Sequence, residues 1–451
     1  MKKLKLRLMP FLLLAALSLS ACDALKAGNP SAGSTAETTS AQTLSPPNPA
    51  VNTIFGIGYK RNSSGYLNPI TEYAELNAGL FALMYDGLFK LDGNFAPQKL
   101  LCDSITLDGT TVTIKIKSGV LFHDGSALTA ADVVYSLQLA KNSADSIYAN
   151  RLKAVQDIWA ADSATVIITL SSPRGSVASL LDIPVIKKNT GITDDAVGCG
   201  RYELKSDNDV LYLMPFDEYY GGVSEDPALD YILLTEVTDN NILEYGVISG
   251  NVDLLRVNLL PKNGVYFYAN ADKIPADTSD LFYIGFNTKS GPASRLNLRK
   301  AVRLLVDAGA LREEAFGGHL RRSWGLYPLS LFPSAAVGSE TAPDVSAARS
   351  LLSAAGYFYS SSGVFKTAGG SELKLRIAVM DTDYMVAAAN QVSAMLAAGG
   401  IGSEVNALSG SAFKSSLESA DFDLYIGEID VAPDFDFTFI LGSGGSANYG
   451  G

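Results

Sequence analysis

Few side chains in this sequence are candidates for catalysis, and they are far apart in the chain. His123 stands beside Asp124, but the Phe-His-Asp-Gly sequence that contains them is typical of a turn before a helix rather than of a catalytic dyad. His319 follows two glycines after a helical pattern, where a loop residue is expected. The sequence has no Gly-x-Ser-x-Gly elbow before a suitable histidine, the arrangement that presents a hydrolase nucleophile. We therefore expect no catalytic residue and no enzymatic activity.

Metal and disulfide chemistry are disfavoured by composition. The sequence has two histidines and three cysteines, too few for a histidine-rich zinc site or a disulfide framework. Cys102 and Cys199 could pair in an oxidising compartment, but we expect two unpaired, largely buried thiols. We therefore expect neither a metal nor a cofactor.

Acidic and hydroxyl side chains follow the strands of the most regular segment. Apolar periodicity predicts three strands with two helices between them, at residues 373–379, 384–398, 403–408, 411–419 and 424–429. Such a β-α-β-α-β unit forms a parallel sheet with right-handed crossovers. Ligands of open α/β sheets bind beyond the carboxyl ends of the strands, often facing another domain. Here those ends carry Asp381, Asp383, Ser409 and Asp430, which we expect to line a site.

Two local signals predict elements in the first half of the chain. Residues 111–117 alternate strictly between polar and apolar side chains after an Asp-Gly turn, which predicts a hairpin strand with one wet face. Thr129 with Asp132 three residues later resembles a capping box, and it predicts a helix that begins there.

The first 22 residues predict where the protein works. Four basic residues precede an apolar run from Leu8 to Leu19, which is too short to cross a bilayer as a helix and is typical of a secretory signal peptide, residues 1–21. The Leu-Ser-Ala-Cys ending is similar to the bacterial lipobox, whose cysteine is lipidated and becomes the first mature residue. We therefore expect Cys22 to carry a lipid anchor at the extracytoplasmic face of the cell membrane. A plain signal peptide with an incidental cysteine is the alternative.

Composition and charge narrow the function further. Of 451 residues, 47% are apolar and 18% are charged, which is typical of a soluble globular chain long enough for more than one domain. The net charge is −12, and without residues 1–21 it is −16, from 31 basic and 47 acidic residues. This balance argues against nucleic-acid binding, which needs clustered lysine and arginine. Residues 22–49, rich in small and polar residues after the cysteine, predict a flexible tether.

Residues 118–136 carry a family resemblance. They read Ser-Gly-Val-Leu-Phe-His-Asp-Gly-Ser-Ala-Leu-Thr-Ala-Ala-Asp-Val-Val-Tyr-Ser, which is similar to the Gly-Val-x-Phe-His-Asp-Gly turn and Thr-Ala-x-Asp-Val-x-Tyr-Ser helix of family 5 of the extracytoplasmic solute-binding proteins of ABC importers. That family includes oligopeptide-, dipeptide- and nickel-binding proteins. Shorter matches occur in the family's order at 85–88, 197–202, 250–253, 283–288, 298–302 and 348–357. The resemblance covers about residues 50–451.

Two departures from the family pattern are visible. Cys199 and Arg201 replace the usual Thr and Pro in a Val-Gly-x-Gly-x-Tyr segment, which we interpret as loop variation. The family normally continues well beyond the stretch that corresponds to 446–449 and uses that tail to re-enter the first lobe, whereas this sequence reaches Gly451 in a glycine-rich run. We expect this C-terminal return segment to be missing, either because the sequence is a truncated product or fragment or because lobe 1 is completed in another way.

The resemblance implies the fold. It is an α/β, two-lobed, periplasmic-binding-protein-like architecture of type II, cluster C, with an extra subdomain inserted in lobe 1. By matching positions, lobe 1 holds residues 50–70 and 193–275, the inserted subdomain holds 71–192, and lobe 2 holds 276–451. Ligand would lie in the cleft between the lobes, and a permease would read their closure. No covalent chemistry is needed, since preferential binding to the closed state shifts an open–closed equilibrium.

The resemblance also implies candidate ligand contacts. In peptide-binding members an aspartate after a strand pairs with the α-ammonium of an extended peptide, and Asp430 is the best counterpart, with Asp434 as a second. Trp324 and Tyr327 fall where the family has a loop near the cleft. Asn287 falls at the end of a strand at the interlobe crossing. A solvated loop acid or a packing side chain is the alternative interpretation for these residues.

Three function classes follow. The first is a lipid-anchored receptor of an ABC importer, a monomer that captures an oligopeptide or dipeptide and delivers it to a permease and ATPase complex. The second is a binding lipoprotein of the same fold used for sensing or scavenging without its own permease, and neighbouring permease genes would separate the two. The third is a lipid-anchored hydrolase, against which the missing nucleophile–base set argues. The sequence does not choose between peptide, nickel, haem and sugar ligands.

Overall fold

The computed structural model describes residues 55–61, 63–71, 74–222, 229–238, 240–258, 277–328 and 342–451, with the single residues 260, 272, 274 and 331. The predicted signal peptide, Cys22 and the tether lie outside the described residues. Among the residues that are described, no helix has the length and apolarity needed to cross a bilayer. They all fall in one compact unit.

Strands dominate the first half of the chain. In chain order its elements are β1 Phe55–Tyr59, α1 Ala78–Met84, β2 Phe89–Leu91, β3 Pro97–Lys99, β4 Cys102–Asp108, β5 Thr111–Ile116, α2 Ala130–Asn142, β6 Val155–Ala160, β7 Thr165–Leu170, β8 Tyr202–Asp207, β9 Val210–Pro215, β10 Ile232–Glu236 and α3 Asn240–Ser249. Short 3-10 turns lie at Glu75–Asn77 and Val177–Leu180. The predicted hairpin strand at 111–117 is confirmed as β5, and the helix predicted from Thr129 is confirmed as α2.

These strands form one two-stranded antiparallel sheet, β2-β3, and two four-stranded sheets. One has the order β1-β10-β9-β8, with β1 parallel to β10 and the other pairs antiparallel. The other has the order β4-β5-β7-β6 and is antiparallel throughout. In sequence, the second sheet is inserted between β1 and β8 of the first. One continuous hydrophobic core, with members from Ile57 to Leu234, joins both sheets, so the insertion is packed onto the first sheet rather than independent of it.

Strands and helices alternate in the second half. In chain order its elements are β11 Asp280–Phe286, α4 Leu296–Leu305, α5 Ala308–Glu314, β12 Ser323–Trp324, β13 Tyr327–Pro328, α6 Val345–Ala354, β14 Phe358–Tyr359, β15 Phe365–Lys366, β16 Lys374–Met380, α7 Asp383–Gly399, β17 Gly402–Leu408, α8 Gly410–Glu418, β18 Leu424–Asp430 and α9 Thr438–Leu441. A 3-10 turn at Pro292–Ser294 precedes α4.

The main sheet of this half has the order β11-β18-β16-β17. β16 is parallel to both β17 and β18, whereas β11 runs antiparallel to β18. Helices α7 and α8 are the crossover connections, so the predicted β-α-β-α-β unit is confirmed. Leu375, Ile377 and Val379 of β16 are fully buried on the face that joins the core with α4, α6 and α7, whereas Lys374 and Arg376 on the opposite face are exposed.

A glycine ends α7 for a conformational reason. Gly400 has a φ of 92° in the left-handed region, and its backbone N–H donates to the carbonyl groups of Leu396 and Ala397. Only glycine adopts this conformation without strain, and it closes the last turn of the helix. The chain is thereby released directly into β17.

The second half has its own hydrophobic core. Its members extend from Leu260 to Ile426 and cover β16 with α4, α6 and α7. Two main cores, one in each half, are what a two-lobed protein requires. The predicted α/β, two-lobed fold of type II with an insertion in lobe 1 is confirmed. We refer below to residues before and after 276 as lobe 1 and lobe 2, although the domain boundaries given above stay predictions.

A capping box begins α2. The Asp132 carboxylate accepts hydrogen bonds from the backbone N–H of Thr129 at 2.9 Å and from its hydroxyl at 2.7 Å. The same carboxylate accepts the backbone N–H of Lys188 at 3.0 Å. Asp132 is buried, so its two tasks, starting the helix and holding a distant loop, depend on one desolvated group.

We expect the two cap residues to differ in their contribution to stability. Thr129→Ala should lower the free energy of unfolding by about 1 kcal/mol, because it removes a helix cap. Asp132→Ala should lower it by about 2 kcal/mol, because it also removes the hydrogen bond that holds the backbone of Lys188. Urea unfolding followed by circular dichroism measures both. The matched control is Asp145→Ala, an exposed acid just beyond α2, which should change stability by less than about 0.5 kcal/mol. Equal effects of the three variants would contradict this assignment.

Candidate functional site

The carboxyl ends of β16 and β17 meet at one edge of the lobe 2 sheet. The backbone N–H of Asp381 donates to the carbonyl of Leu408 at 2.8 Å, which joins the two strand ends. Asp381, Asp383 and Ser409 are all exposed there, and Ser409 is the N-cap residue of α8. The predicted grouping of these side chains at one sheet edge therefore holds, and their contact with a ligand stays a prediction.

Asp430 lies further out than its neighbours. Ile377 of β16 pairs with Leu424 of β18, and this register brings the end of β16 level with Gly427. Residues 428–430 therefore extend past β16 by roughly 10 Å, at about 3.3 Å per residue. Along this stretch they pair with β11, where Asp430 stands directly opposite Asp280.

Asp430 lies beside a second negatively charged residue. Its exposed carboxylate accepts a hydrogen bond from the Ser279 hydroxyl at 3.0 Å. Two carboxylates directly opposite each other on antiparallel strands repel, which is unfavourable for the sheet. Asp280 and Asp430 therefore place two negative charges at the outer end of β18.

The negative charge of Asp430 acts on a carboxylate of lobe 1. Burial raises the pKa of Asp182 in lobe 1, the ion pair with Arg151 opposes that rise, and the negative charge of Asp430 adds to it. The Arg151 guanidinium lies 2.8 Å from the Asp182 carboxylate. The charge of Asp430 therefore reaches across to Asp182, and its contact with a ligand stays a prediction.

The loop after β18, residues 431–437, contacts lobe 1 directly. The side chain of Asp434 is fully inaccessible to solvent, and its carboxylate lies 3.2 Å from the guanidinium of Arg174. The same guanidinium contacts Asp436. Burial raises the pKa of Asp434, and the Arg174 charge opposes the rise. Asp434 was predicted as a second ligand contact, but the structure gives its carboxylate a partner within the protein.

Aromatic side chains gather around the same loop. Tyr327 of β13 lies 5.2 Å from Phe437 and 6.2 Å from Phe435, measured between ring centroids. Tyr327 is 39% exposed to solvent. The backbone of Trp324 pairs with Tyr327 across the β12–β13 hairpin, whereas its side chain lies outside the described part of the structure. Their predicted contact with a ligand is untested.

The side chain of Asn287 is buried and hydrogen-bonded within lobe 2. It is 1% exposed, and its side-chain amide donates to the carbonyls of Ala420 and Phe422, both at 3.2 Å. Its side-chain oxygen accepts the backbone N–H groups of Lys289 and Ser290. The amide therefore fastens the turn after β11 to the segment before β18, and the predicted ligand contact gains no support from these distances.

Sequence reasoning did not single out the lobe 1 side of this region. Arg174 stands in a Ser-Pro-Arg-Gly-Ser segment between β7 and the 3-10 turn at Val177–Leu180. The flanking proline and glycine indicate a loop, but nothing in the sequence connects it with Asp434, which is 260 residues further on. No sequence pattern identified Asp182 or Phe95 as part of this region either.

The side chains of His123, Cys102 and Cys199 are held in environments that do not favour catalysis. A ring nitrogen of His123 lies 2.9 Å from the carbonyl of Gly200, and burial lowers the pKa of His123. Cys102 and Cys199 are free and buried, as predicted. Burial raises the pKa of both thiols, which disfavours the reactive thiolate. Among the described residues, no group of three or more His, Cys, Asp and Glu side chains is placed to hold a metal ion.

Curated proteins of known function are similar to this chain in sequence. The glutathione-binding protein GsiB of Escherichia coli (strain K12) is 29% identical over 315 residues, which are 64% of this chain and 59% of that protein. The match therefore spans less than two thirds of the length of this curated relative.

Solved structures share the fold at lower identity. The periplasmic murein tripeptide-binding protein MppA, in its unliganded open form, matches with a TM-score of 0.66 at 17% identity, over 89% of this chain and 83% of that one. The oligopeptide-binding protein AppA of Bacillus subtilis, in complex with a nonapeptide, matches with a TM-score of 0.52 at 19% identity, over 88% and 83%. The model of the bacterial extracellular solute-binding proteins, family 5 middle region, matches residues 96–451. Since this is well over half of the chain, the protein belongs to family 5 of the bacterial extracellular solute-binding proteins.

Proposed function

We propose that this protein is the lipid-anchored receptor of an ABC importer, which captures an extended oligopeptide or dipeptide between its lobes and delivers it to a membrane permease. The observation that carries the proposal is the position of Asp430. It is an exposed carboxylate at the end of β18, opposite Asp280 and close enough to lobe 1 to act on Asp182. A cationic group between the lobes would neutralise this region, as the ammonium group of a peptide does.

The backbone beside Asp430 supports an extended ligand. Residues 428–430 continue past the end of β16 and pair with β11 on their other side. A strand that outruns its neighbour offers backbone donors and acceptors to which an extended peptide can add as a further strand. Main-chain pairing of this kind does not depend on the peptide's sequence, while Asp430 would fix its amino end.

The relatives bind ligands of the same chemical class. Their names and structures concern glutathione, a murein tripeptide and a nonapeptide, all of which are chains of amide-linked amino acids. Capture of such a ligand needs no covalent step. It requires only that the ligand bind the closed arrangement of the lobes more tightly than the open one.

The peptide assignment is tested by the contribution of the ligand's ammonium group. The full chain, purified in detergent, is incubated with a mixed-sequence tripeptide library or with the same library after N-terminal acetylation, and bound masses are weighed by native mass spectrometry. The wild-type protein should retain free tripeptides at least about tenfold better than acetylated ones, since a stranded carboxylate is costly. Asp430→Asn should abolish this preference.

The matched control for that experiment is Asp381→Asn, which removes an exposed acid at the end of the neighbouring strand β16. It should keep the preference for free tripeptides. If Asp430→Asn keeps it as well, Asp430 does not pair with the ammonium group. If the wild-type protein retains neither library, the ligand is not a tripeptide.

The anchor is tested at Cys22. Cells that express the full chain are grown with an alkyne-tagged fatty acid, and the protein is examined after fractionation. Wild-type protein should carry the tag and sediment with membranes, because two or more acyl chains hold a protein stably at a bilayer. Cys22→Ser should lose the tag and leave the membrane fraction, whereas Cys102→Ser, which alters a buried thiol, should keep both properties. A tagged Cys22→Ser protein would refute the anchor assignment.

A further inference from the structure

The contacts that the structure shows between the insertion of lobe 1 and lobe 2 converge on loop 431–437. On the lobe 1 side they come from the segment 174–176 and from Phe95, in the turn between β2 and β3. On the lobe 2 side they are made by Asp434, Phe435 and Asp436. This loop follows Asp430 immediately, so whatever holds it also restricts the end of β18.

An ion pair forms the polar half of this contact. The Asp434 carboxylate has no solvent exposure, and it is satisfied by Arg174 at 3.2 Å and by the Ser176 hydroxyl at 3.4 Å. A carboxylate removed from water is tolerated only where a cation and hydrogen bonds replace its hydration. Arg151, the next guanidinium along lobe 1, is already paired with Asp182 at 2.8 Å. Arg174 is therefore the cation on which the burial of Asp434 depends.

An aromatic pair forms the apolar half. The rings of Phe95 and Phe435 meet nearly at right angles, at 88° and with 5.1 Å between centroids. Both residues have positive φ, 61° for Phe95 and 52° for Phe435. Bulky residues rarely adopt this conformation, which costs on the order of 1–3 kcal/mol and persists where the surroundings enforce it. Here the enforced conformation occurs on both sides of one contact between lobes.

We propose that Arg174 is a latch between the lobes: it holds loop 431–437 against the insertion and thereby positions Asp430. Its role toward Asp430 rests on the proposed function, whereas the latch itself does not. Arg174 neutralises Asp434 and Asp436, whereas Asp430 stays exposed to a ligand. The three acids of this segment thus have separate tasks, two in closure and one in recognition.

Removal of the two sides of the latch should have unequal effects. Arg174→Gln leaves Asp434 desolvated without its cation, so the loop must leave the insertion for the carboxylate to regain water. The double variant Asp434→Asn with Asp436→Asn leaves Arg174, which is 21% exposed and can turn to solvent. Both should open the latch, Arg174→Gln to the greater extent, and Arg174→Lys should restore it in part because it keeps the charge.

Hydrogen–deuterium exchange of the full chain in detergent, without any ligand, tests the latch. In Arg174→Gln the backbone amides of loop 431–437 and those of 92–96 and 174–177 should exchange at least about tenfold faster than in the wild-type protein, since both faces of the contact lose protection together. Arg174→Lys should fall between the two. The matched control is Arg61→Gln, which removes an ion pair with Asp195 of similar exposure that lies within lobe 1, and it should leave these amides unchanged.

Two results would overturn the latch. One is unchanged exchange in Arg174→Gln. The other is faster exchange of loop 431–437 alone, because this would mean local fraying rather than separation of the lobes. If Arg174→Gln does not fold, the double variant with both acids replaced carries the same test. The assay contains no peptide, so its failure leaves the tripeptide experiment unaffected, and loss of tripeptide binding leaves the latch unaffected.

Discussion

Parallel pairing of β16 with β17 and β18 is the constraint on which the site depends. Parallel neighbours need crossover connections, and α7 and α8 supply them. The same pairing directs every strand end of the unit to one edge, where side chains cannot be buried in the sheet. Polar residues are tolerated at that edge, and a partner lobe or a ligand can reach them.

The second constraint is the cost of desolvating carboxylates. Asp182 and Asp434 are both buried enough for their pKa to rise, and each has an arginine beside it. Without those guanidinium groups the charges would have to return to water, and the elements that carry them would have to move. Charge pairing therefore couples the burial of loop 431–437 to lobe 1. A binding protein that works by lobe movement can use such a coupling, because its equilibrium then depends on a few side chains.

The neighbouring acidic residues of this region differ in their partners. Asp434 and Asp436 face a protein cation, and Asp430 and Asp280 face each other at the outer end of β18. Four carboxylates in one short region would otherwise repel one another. A cation of the protein neutralises the first of these two pairs.

The sequence by itself determined the local elements and the family. Apolar periodicity located β16, α7, β17, α8 and β18 within two residues of their bounds, since burial of one face requires that periodicity. The capping pair located the start of α2 for a similarly local reason. The resemblance indicated the two-lobed fold.

Only the tertiary structure decided which side chains meet across the lobes. Asp430 and Asp434 look alike in sequence, four residues apart on one acidic segment, yet one is exposed and the other is sealed against Arg174. Asn287 ends a strand as predicted, yet its amide is used inside lobe 2. The reason is physical: periodicity reports which face of an element is buried, whereas the partner of a polar group comes from a distant segment and leaves no local pattern.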